Sequence, residues 1–211
     1  MRQLLCWTQR VLFLGAGLAL GFCGFIMIDA WIFQSRASRD LESRLRDQQA
    51  VSPGPPRMGP TVQPEVQWVA QGGLIGRIEI PRIGLSAIVL EGISKDTLRL
   101  AVGHIPGTTL PGEIGNAGFA GHRDTFFRPL AKILQSDVIT VTTLRGEYRY
   151  RVVSTRVVGP AEVSVLSPTA NETLTLVTCH PFYFVGAAPN RFIVFAERVM
   201  EPEGAPQADS R

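Results

Sequence analysis

The sequence predicts an all-β domain, either a closed barrel or a sandwich, preceded by an N-terminal transmembrane helix. Three observations lead to this fold class. Short β-rich runs recur between residues 74 and 199, helical periodicity is scarce over the same range, and one long apolar run stands near the N-terminus. The chain has 211 residues, which leaves room for one ordinary domain and an appendage.

The apolar run extends from Val11 to Ile28 and contains eighteen residues without a polar side chain. A helix needs about 20 apolar residues to cross a bilayer, and Trp31 stands where an interfacial aromatic residue is expected. A cleaved signal peptide has a shorter apolar region of about 7–15 residues before its cleavage site. We therefore predict an uncleaved, single-pass anchor over residues 11–33, after a short segment at 1–10.

The charges flanking this run conflict with the chemistry of the domain. Two arginines precede the run, whereas four follow it between positions 36 and 46. By the Lys/Arg count, the C-terminal side lies in the cytoplasm. The candidate site described below favours the opposite orientation, and we expect an extracytoplasmic domain at the cell membrane.

Residues 34–73 predict a helical extension of the anchor followed by a tether. Asp40–Arg44 and Glu42–Arg46 are i,i+4 pairs in the favourable order, which supports a helix over residues 35–49. Residues 50–73 contain five prolines and four glycines, a composition typical of an extended linker. The tail at 200–211 is predicted to be disordered.

Seven strands are predicted in the domain at 74–199, each bounded by turn residues. They cover residues 74–80, 86–90, 117–120, 138–143, 148–158, 173–179 and 191–198. Arg145-Gly146 indicates a hairpin, a short helix is expected near residues 125–133, and a further turn near 163–166. Seven or eight short strands in such a length favour a barrel or a sandwich.

The composition excludes several function classes. The net charge is only +3, and no cluster of basic residues stands among aromatic ones, so nucleic acid is not a predicted partner. Three cysteines are too few for a disulfide scaffold or a four-cysteine zinc site. No metal or other cofactor is predicted.

Cys179 is the candidate nucleophile, because it ends an alternating strand two residues before Pro181. A lone cysteine is more often a buried core residue. A strand end borders a rim that a substrate can reach, which favours nucleophilic chemistry. A thiol has a reference pKa of about 8.5, so Cys179 would need a base or a cation nearby.

Three histidines and one arginine are candidate partners. His180 adjoins Cys179, but neighbouring strand residues point to opposite faces. His104 stands in a predicted loop, whereas His122 follows Gly121 at a strand end and so reaches the rim. Arg191 opens the next strand, and a hairpin would bring its guanidinium to the same end, where it could stabilise an oxyanion. The alternatives are that each histidine has only a structural role and that Arg191 lies on the surface in an ordinary ion pair.

Three segments together resemble the sortases, most closely those of class D. They are GHRDTFFRPL at residues 121–130, LTLVTC at 174–179 and APNRFIV at 188–194. The resemblance implies an eight-stranded β-barrel in a membrane-tethered cysteine transpeptidase. It also implies that Cys179 is the nucleophile, His122 the acid/base and Arg191 the stabilising cation. One departure is His180, where an aromatic residue such as tyrosine is expected.

The resemblance further implies the reaction and its partners. A sortase cleaves an LPxTG-like sorting motif near the C-terminus of a secreted protein through a thioester, which in this chain would form on Cys179. The acyl group then passes to an amine, commonly of a cell-wall precursor or a pilin lysine, in the anchoring of proteins at the cell surface. Asp124 is a candidate for orienting a neighbouring side chain. The alternatives are a thiol peptidase that releases the acyl group to water and a tethered binding module without catalysis.

Overall fold

A closed barrel of eight strands follows a long N-terminal helix in the computed structural model, which describes residues 2–50, 70–183 and 186–199. Most of the predicted linker and the whole predicted tail lie outside these residues. The barrel confirms the predicted all-β domain and excludes the sandwich. The seven predicted strands are all present, with ends that differ by at most two residues from the expected ones.

In chain order, the helices and strands are α1 (Arg2–Ala50), β1 (Leu74–Ile80), β2 (Leu85–Glu91), α2 (Lys95–Leu100), β3 (Val102–His104), β4 (Gly115–Ala120), β5 (Val138–Thr143), β6 (Gly146–Val158), β7 (Glu172–His180) and β8 (Asn190–Arg198). Three 3-10 helices lie at Pro81–Ile83, Arg128–Lys132 and Val163–Leu166.

The strand order around the barrel is β1-β2-β3-β4-β7-β8-β6-β5, and β5 pairs with β1 to close it. The β2–β3 and β4–β7 pairs are parallel, and the other pairs are antiparallel. Because β4 and β7 are parallel neighbours, their carboxyl ends meet at one end of the barrel, together with the start of β8. We call this the Cys179 end.

Two elements were not predicted, and they correct the expectation for His104. The short helix α2 begins after Ser94, whose hydroxyl caps it by accepting a hydrogen bond from the Thr97 amide. Strand β3 ends at His104, which is therefore not in a loop and is only 3% exposed. Its Nδ1 lies 2.6 Å from Glu91 Oε2 and its Nε2 lies 3.0 Å from the Thr109 carbonyl oxygen. His104 is thus held inside the fold. The short helix expected near residues 125–133 is a 3-10 helix over Arg128–Lys132.

The carboxyl-terminal half of α1, which includes residues 35–49, packs along the barrel wall. Phe33 and Ala37 pack against buried residues of β2 and the segment after α2, and Leu41 is fully buried. The Gln34 side-chain amide donates to the Leu100 carbonyl at 2.6 Å, and its oxygen accepts from the Ile88 amide at 2.8 Å.

The predicted anchor at 11–33 lies within α1. Among the residues that the structure describes, none of the helices combines the length and the apolar character required to cross a membrane. Side chains 23 and 25–27 lie outside the described set, and the anchor stays a prediction.

A buried carboxylate near the start of β5 predicts a pH dependence of stability. The Asp137 side chain is 5% exposed, accepts a hydrogen bond from Arg82 Nη2 at 2.7 Å and accepts another from the Leu134 amide at 2.8 Å. The bonds to Arg82 lower the pKa of Asp137 against the opposing effect of burial. Because the folded-state pKa lies below the unfolded one, this stabilisation is present above the unfolded pKa and is lost as pH falls through the folded pKa.

We therefore expect Asp137→Asn to flatten the loss of stability between about pH 5 and pH 2. Urea unfolding across this pH range measures the effect. The control is Glu147→Gln, which removes an exposed carboxylate from the same barrel. Equal pH slopes for the wild type and Asp137→Asn would contradict the assignment.

Candidate active site

Cys179 and Arg191 are direct partners across two neighbouring strands. Strands β7 and β8 form an antiparallel pair in which Cys179 is opposite Arg191, and His180 is opposite Asn190. Directly opposed residues point to the same face of a sheet. The hairpin expected from the sequence is therefore present, and it brings the thiol and the guanidinium together at the Cys179 end.

His122 reaches the same place through the parallel β4–β7 pair. Ala120 is paired with Val177, so His122 and Cys179 each stand two residues further along. Two hydrogen bonds continue the pairing beyond β4: the Gly121 amide donates to the Val177 carbonyl at 3.1 Å, and Thr178 Oγ1 donates to the Gly121 carbonyl at 2.7 Å. Since adjacent strands lie about 4.8 Å apart, His122 stands beside Cys179.

The alternation of β7 determines which face carries the site. Leu174, Leu176 and Thr178 are buried and point into the barrel, so Cys179 and Val177 belong to its outer face. Cys179 is half-buried, and His122 is exposed. A substrate can therefore approach both side chains from outside the barrel.

Close packing fixes the turn that presents His122. A Cβ atom at Gly121 would lie 2.8 Å from the ring of Phe127, a distance that real side chains essentially never show. Phe127 itself is fully buried, and its amide donates to the His122 carbonyl at 3.1 Å. Glycine before the histidine thus lets the turn fold back onto an aromatic residue of the core.

Arg191 is held by its own loop. Its Nη1 donates to the carbonyl oxygens of Asn190 at 3.0 Å and Ala188 at 3.3 Å. The Nε and Nη2 atoms of a guanidinium carry three further N–H donors. Anchored in this way, Arg191 is suited to donate to an oxygen near Cys179 without a large rearrangement.

Arg123 is a buried residue of the site that the sequence pattern did not reveal. It is 6% exposed, and it donates from Nη1 to the Pro181 carbonyl at 2.9 Å and from Nη2 to the Gly186 carbonyl at 3.0 Å. Its Nε lies 3.6 Å from Asp124 Oδ2, so Asp124 contacts the arginine that precedes it in the chain. Arg123 therefore fastens the loop that follows Cys179 to the turn that carries His122.

We expect Arg123→Lys to lower kcat by about 10- to 100-fold while the chain stays folded. A lysine keeps the charge but loses the planar fork that reaches two carbonyl oxygens at once. Steady-state kinetics with a peptide substrate measures the effect, and Arg151→Lys, at an exposed position of β6, is the matched control. Equal kcat values in both variants would contradict this positioning role.

His180 acts as an aromatic ring rather than as a partner of Cys179. It points to the inner face, where its ring stacks on Phe192 at a centroid distance of 6.1 Å and meets Phe182 edge-on at 5.8 Å. Within the described residues, its Nδ1 is buried without a hydrogen-bond partner. The ring packing explains how a histidine stands where an aromatic residue is expected.

A second loop, over residues 159–171, is held against the outer face beside the site. Asn116 on β4 is 4% exposed and donates from Nδ2 to the carbonyl oxygens of Val165 at 3.2 Å and Ser167 at 3.3 Å. Its Oδ1 accepts from Thr175 Oγ1 at 2.8 Å. Leu166 of this loop approaches Gly118, where a Cβ would lie 3.0 Å from it. The loop thus covers the outer face of β4 and β7 around Asn116, Gly118 and Thr175.

Metal ligands are not grouped in the part of the chain that the structure describes: no three His, Cys, Asp or Glu side chains stand together there as a metal site would require.

Comparisons with known proteins identify relatives of this chain. A sortase domain family matches residues 78–199. The chain is 30% identical to Sortase D of Bacillus subtilis (strain 168) over 189 residues, which cover 88% of this chain and 95% of the relative.

The fold has solved relatives as well. A Sortase D5 transpeptidase of Clostridium perfringens superposes with a TM-score of 0.64 at 25% identity, covering 80% of this chain and 99% of that one. Sortase C-1 of Actinomyces oris superposes with a TM-score of 0.56 at 33% identity, covering 60% and 73%. Because the family match spans more than half of the sequence and the Bacillus relative is matched along nearly its whole length, the chain belongs to the sortase family of cysteine transpeptidases.

Proposed function

We propose that this sortase is a membrane-anchored transpeptidase that cleaves an LPxTG-like sorting motif and transfers the acyl group from Cys179 to an amine. The observation that carries the proposal is the strand register. It brings Cys179, His122 and Arg191 side by side on the outer face of one sheet. A nucleophile, an acid/base and a cation are the groups that acyl transfer requires.

The outer face of the sheet beside Cys179 supports an extended peptide substrate. Ala120 and Val177, which pair across β4 and β7, are apolar and partly exposed there. The loop at 159–171 packs against the same face at Gly118. An extended segment with apolar side chains, such as the leucine and proline of a sorting motif, fits such a surface. The threonine carbonyl would then lie at Cys179.

In the first half of the reaction, the Cys179 thiolate attacks the threonine carbonyl carbon, and a C–S bond forms. Arg191 donates hydrogen bonds to the oxygen as it gains negative charge. The C–N bond to the following glycine then breaks, and His122 gives a proton to the departing amine. The product of this half is a thioester on Cys179.

In the second half, an amine nitrogen attacks the thioester carbonyl carbon and gives up a proton to His122. The C–S bond breaks, and the thiolate of Cys179 returns. Attack by water instead of the amine would give the hydrolysis product of a thiol peptidase. Partial exclusion of water from the site by the bound peptide would favour the amine.

The proposal includes the anchor at 11–33 and an extracytoplasmic barrel. Seven large apolar side chains between positions 11 and 22 are exposed among the described residues, with fractions from 57% at Val11 to 75% at Leu18. Such a surface is favourable in hydrocarbon and unfavourable in water. An extracytoplasmic barrel would meet secreted proteins that carry a sorting motif, and cell-wall precursors or pilin lysines as amine acceptors.

The test is product analysis with the full chain in detergent. LPxTG-like peptides are incubated with and without an added amine, such as triglycine, and the products are identified by mass spectrometry. We expect cleavage after the threonine, with transfer products when the amine is present. Release of only the free acid at every amine concentration would favour the thiol peptidase, and no cleavage of any peptide would contradict the proposal.

A further inference from the structure

The direction of α1 relative to the barrel carries an inference about the membrane. Two ion pairs fix α1 at separate heights on the wall: Glu42 Oε1 lies 3.0 Å from Arg77 Nη1 on β1, and Asp29 Oδ2 lies 2.6 Å from Arg99 Nη1 on α2. Glu42 lies thirteen positions after Asp29, which corresponds to about 20 Å along the helix. Between them, Gln34 bonds the end of α2 and β2.

The register shows which end of the barrel the Asp29 side of α1 approaches. Gly103 at the start of β3 pairs with Ala120 at the end of β4, so β3 begins at the Cys179 end. Arg99 and Leu100 directly precede this start. Strand β2 runs parallel to β3 and pairs with it only from Val89, so the earlier residues of β2 extend further toward the same end. The helix therefore passes the Cys179 end as it runs back from Asp29 toward its N-terminus.

A groove at this junction adds a second observation. It has a volume of about 440 Å³ and lies between α1 and the barrel. Ala30 and Trp31 of α1 line one side, and Leu85, Phe126 and Pro129 line the other. Phe126 belongs to the turn that begins at His122, and the Trp31 side chain is 69% exposed. The apolar surface of α1 thus continues onto the barrel next to the site.

We propose that the Cys179 end of the barrel lies on the surface of the lipid bilayer, so that the site works at the level of the head groups. This inference rests on the proposed anchor. If residues 11–28 lie in the hydrocarbon, Asp29 and Trp31 lie at the membrane–water interface. The part of the barrel that these two residues contact then lies at the same level. The opposite end of the barrel, which carries the turn at Arg145 between β5 and β6, faces away from the membrane. Strand β7 has nine residues, and eight steps of about 3.3 Å place its two ends roughly 26 Å apart.

The test measures the distance of each end from the bilayer in the full chain. The background is Cys6→Ser, Cys23→Ser and Cys179→Ala, with a single label site at either Thr125→Cys or Glu147→Cys. Both positions are exposed, the first at the Cys179 end and the second near the opposite end. Each variant is labelled with a fluorescent maleimide and inserted into phosphatidylcholine–phosphatidylglycerol nanodiscs that contain a lipid with a nitroxide on its head group.

We expect quenching at position 125 to be at least threefold stronger than at position 147. Equal or reversed quenching in chains that co-elute with nanodiscs would overturn the orientation and leave the anchor intact. Failure to co-elute with nanodiscs would overturn both. Adding Gln34→Ala and Glu42→Gln should weaken the contacts of α1 and reduce the contrast. A contrast that persists after this change would contradict the role of those contacts.

Discussion

Cys179→Ala is expected to lower the rate of transpeptidation by about 10⁴-fold or more, because the proposed thioester forms on that sulfur atom. Few of the barrel's contacts depend on the thiol. It is half-buried on the outer face at the end of β7, and the buried side chains of this strand point the other way. We therefore expect the free energy of unfolding to change by about 1 kcal/mol or less.

Two measurements separate loss of chemistry from loss of fold. Peptide cleavage followed by mass spectrometry gives the rate, and urea unfolding gives the stability of the same preparation. The substitutions Cys6→Ser and Cys23→Ser are the matched controls, since they remove the other two cysteines of the chain. Retention of cleavage in Cys179→Ala at the wild-type rate would refute the nucleophile.

His122→Ala is expected to slow the reaction by about 10²- to 10⁴-fold, the usual range for removal of a general acid/base. The imidazole would protonate the leaving amine and accept a proton from the incoming one. The rates of both halves of the reaction should therefore fall. Because the His122 side chain is exposed, the substitution should leave the packing of the buried Phe127 intact. The measurement is the rate of thioester formation and of its transfer, followed separately.

His180→Phe provides the control for the second histidine near the nucleophile. Its ring already packs against Phe182 and Phe192, and phenylalanine removes a buried Nδ1 that has no partner among the described residues. We expect wild-type activity and unchanged or higher stability. The assignment fails if His180→Phe loses as much activity as His122→Ala, or if His122→Ala loses none.

The longer strands of the barrel were predictable because apolar and polar side chains alternate along them. Runs such as Val138–Thr143 alternate between inner and outer faces and end at turn residues. Strand β3 was missed because it has only three residues, with glycine in the middle. Helix α2 was missed because six residues are too few for helical periodicity, and its start depends on the cap from Ser94.

The candidate site likewise contains residues that the sequence predicted and one that it did not. Cys179, His122 and Arg191 stand at strand ends, and the order of the strands brings them together without help from distant loops. Arg123 was missed because an arginine beside a histidine resembles a surface residue in sequence. Its burial comes from the carbonyl oxygens of Pro181 and Gly186, about sixty residues away, and no local pattern encodes that contact.

The packing of α1 on the barrel was equally hidden. The charge pairs predict the helix at residues 35–49. They do not predict that the Gln34 side chain bonds the Ile88 amide and the Leu100 carbonyl. Ile88 precedes the first β2 residue that pairs with β3, so its amide needs a partner from elsewhere. Side-chain hydrogen bonds of this kind depend on tertiary structure rather than on sequence periodicity.

The intact mass of the full chain during turnover shows whether the thioester forms on Cys179. A sorting-motif peptide is added without an amine, and the reaction is quenched in acid. We predict a mass increase equal to the acyl fragment that ends in threonine, located on Cys179 by proteolysis and removed by hydroxylamine as a thioester should be. Cleavage of the peptide without any adduct on Cys179, or with the adduct on another residue, would contradict the account.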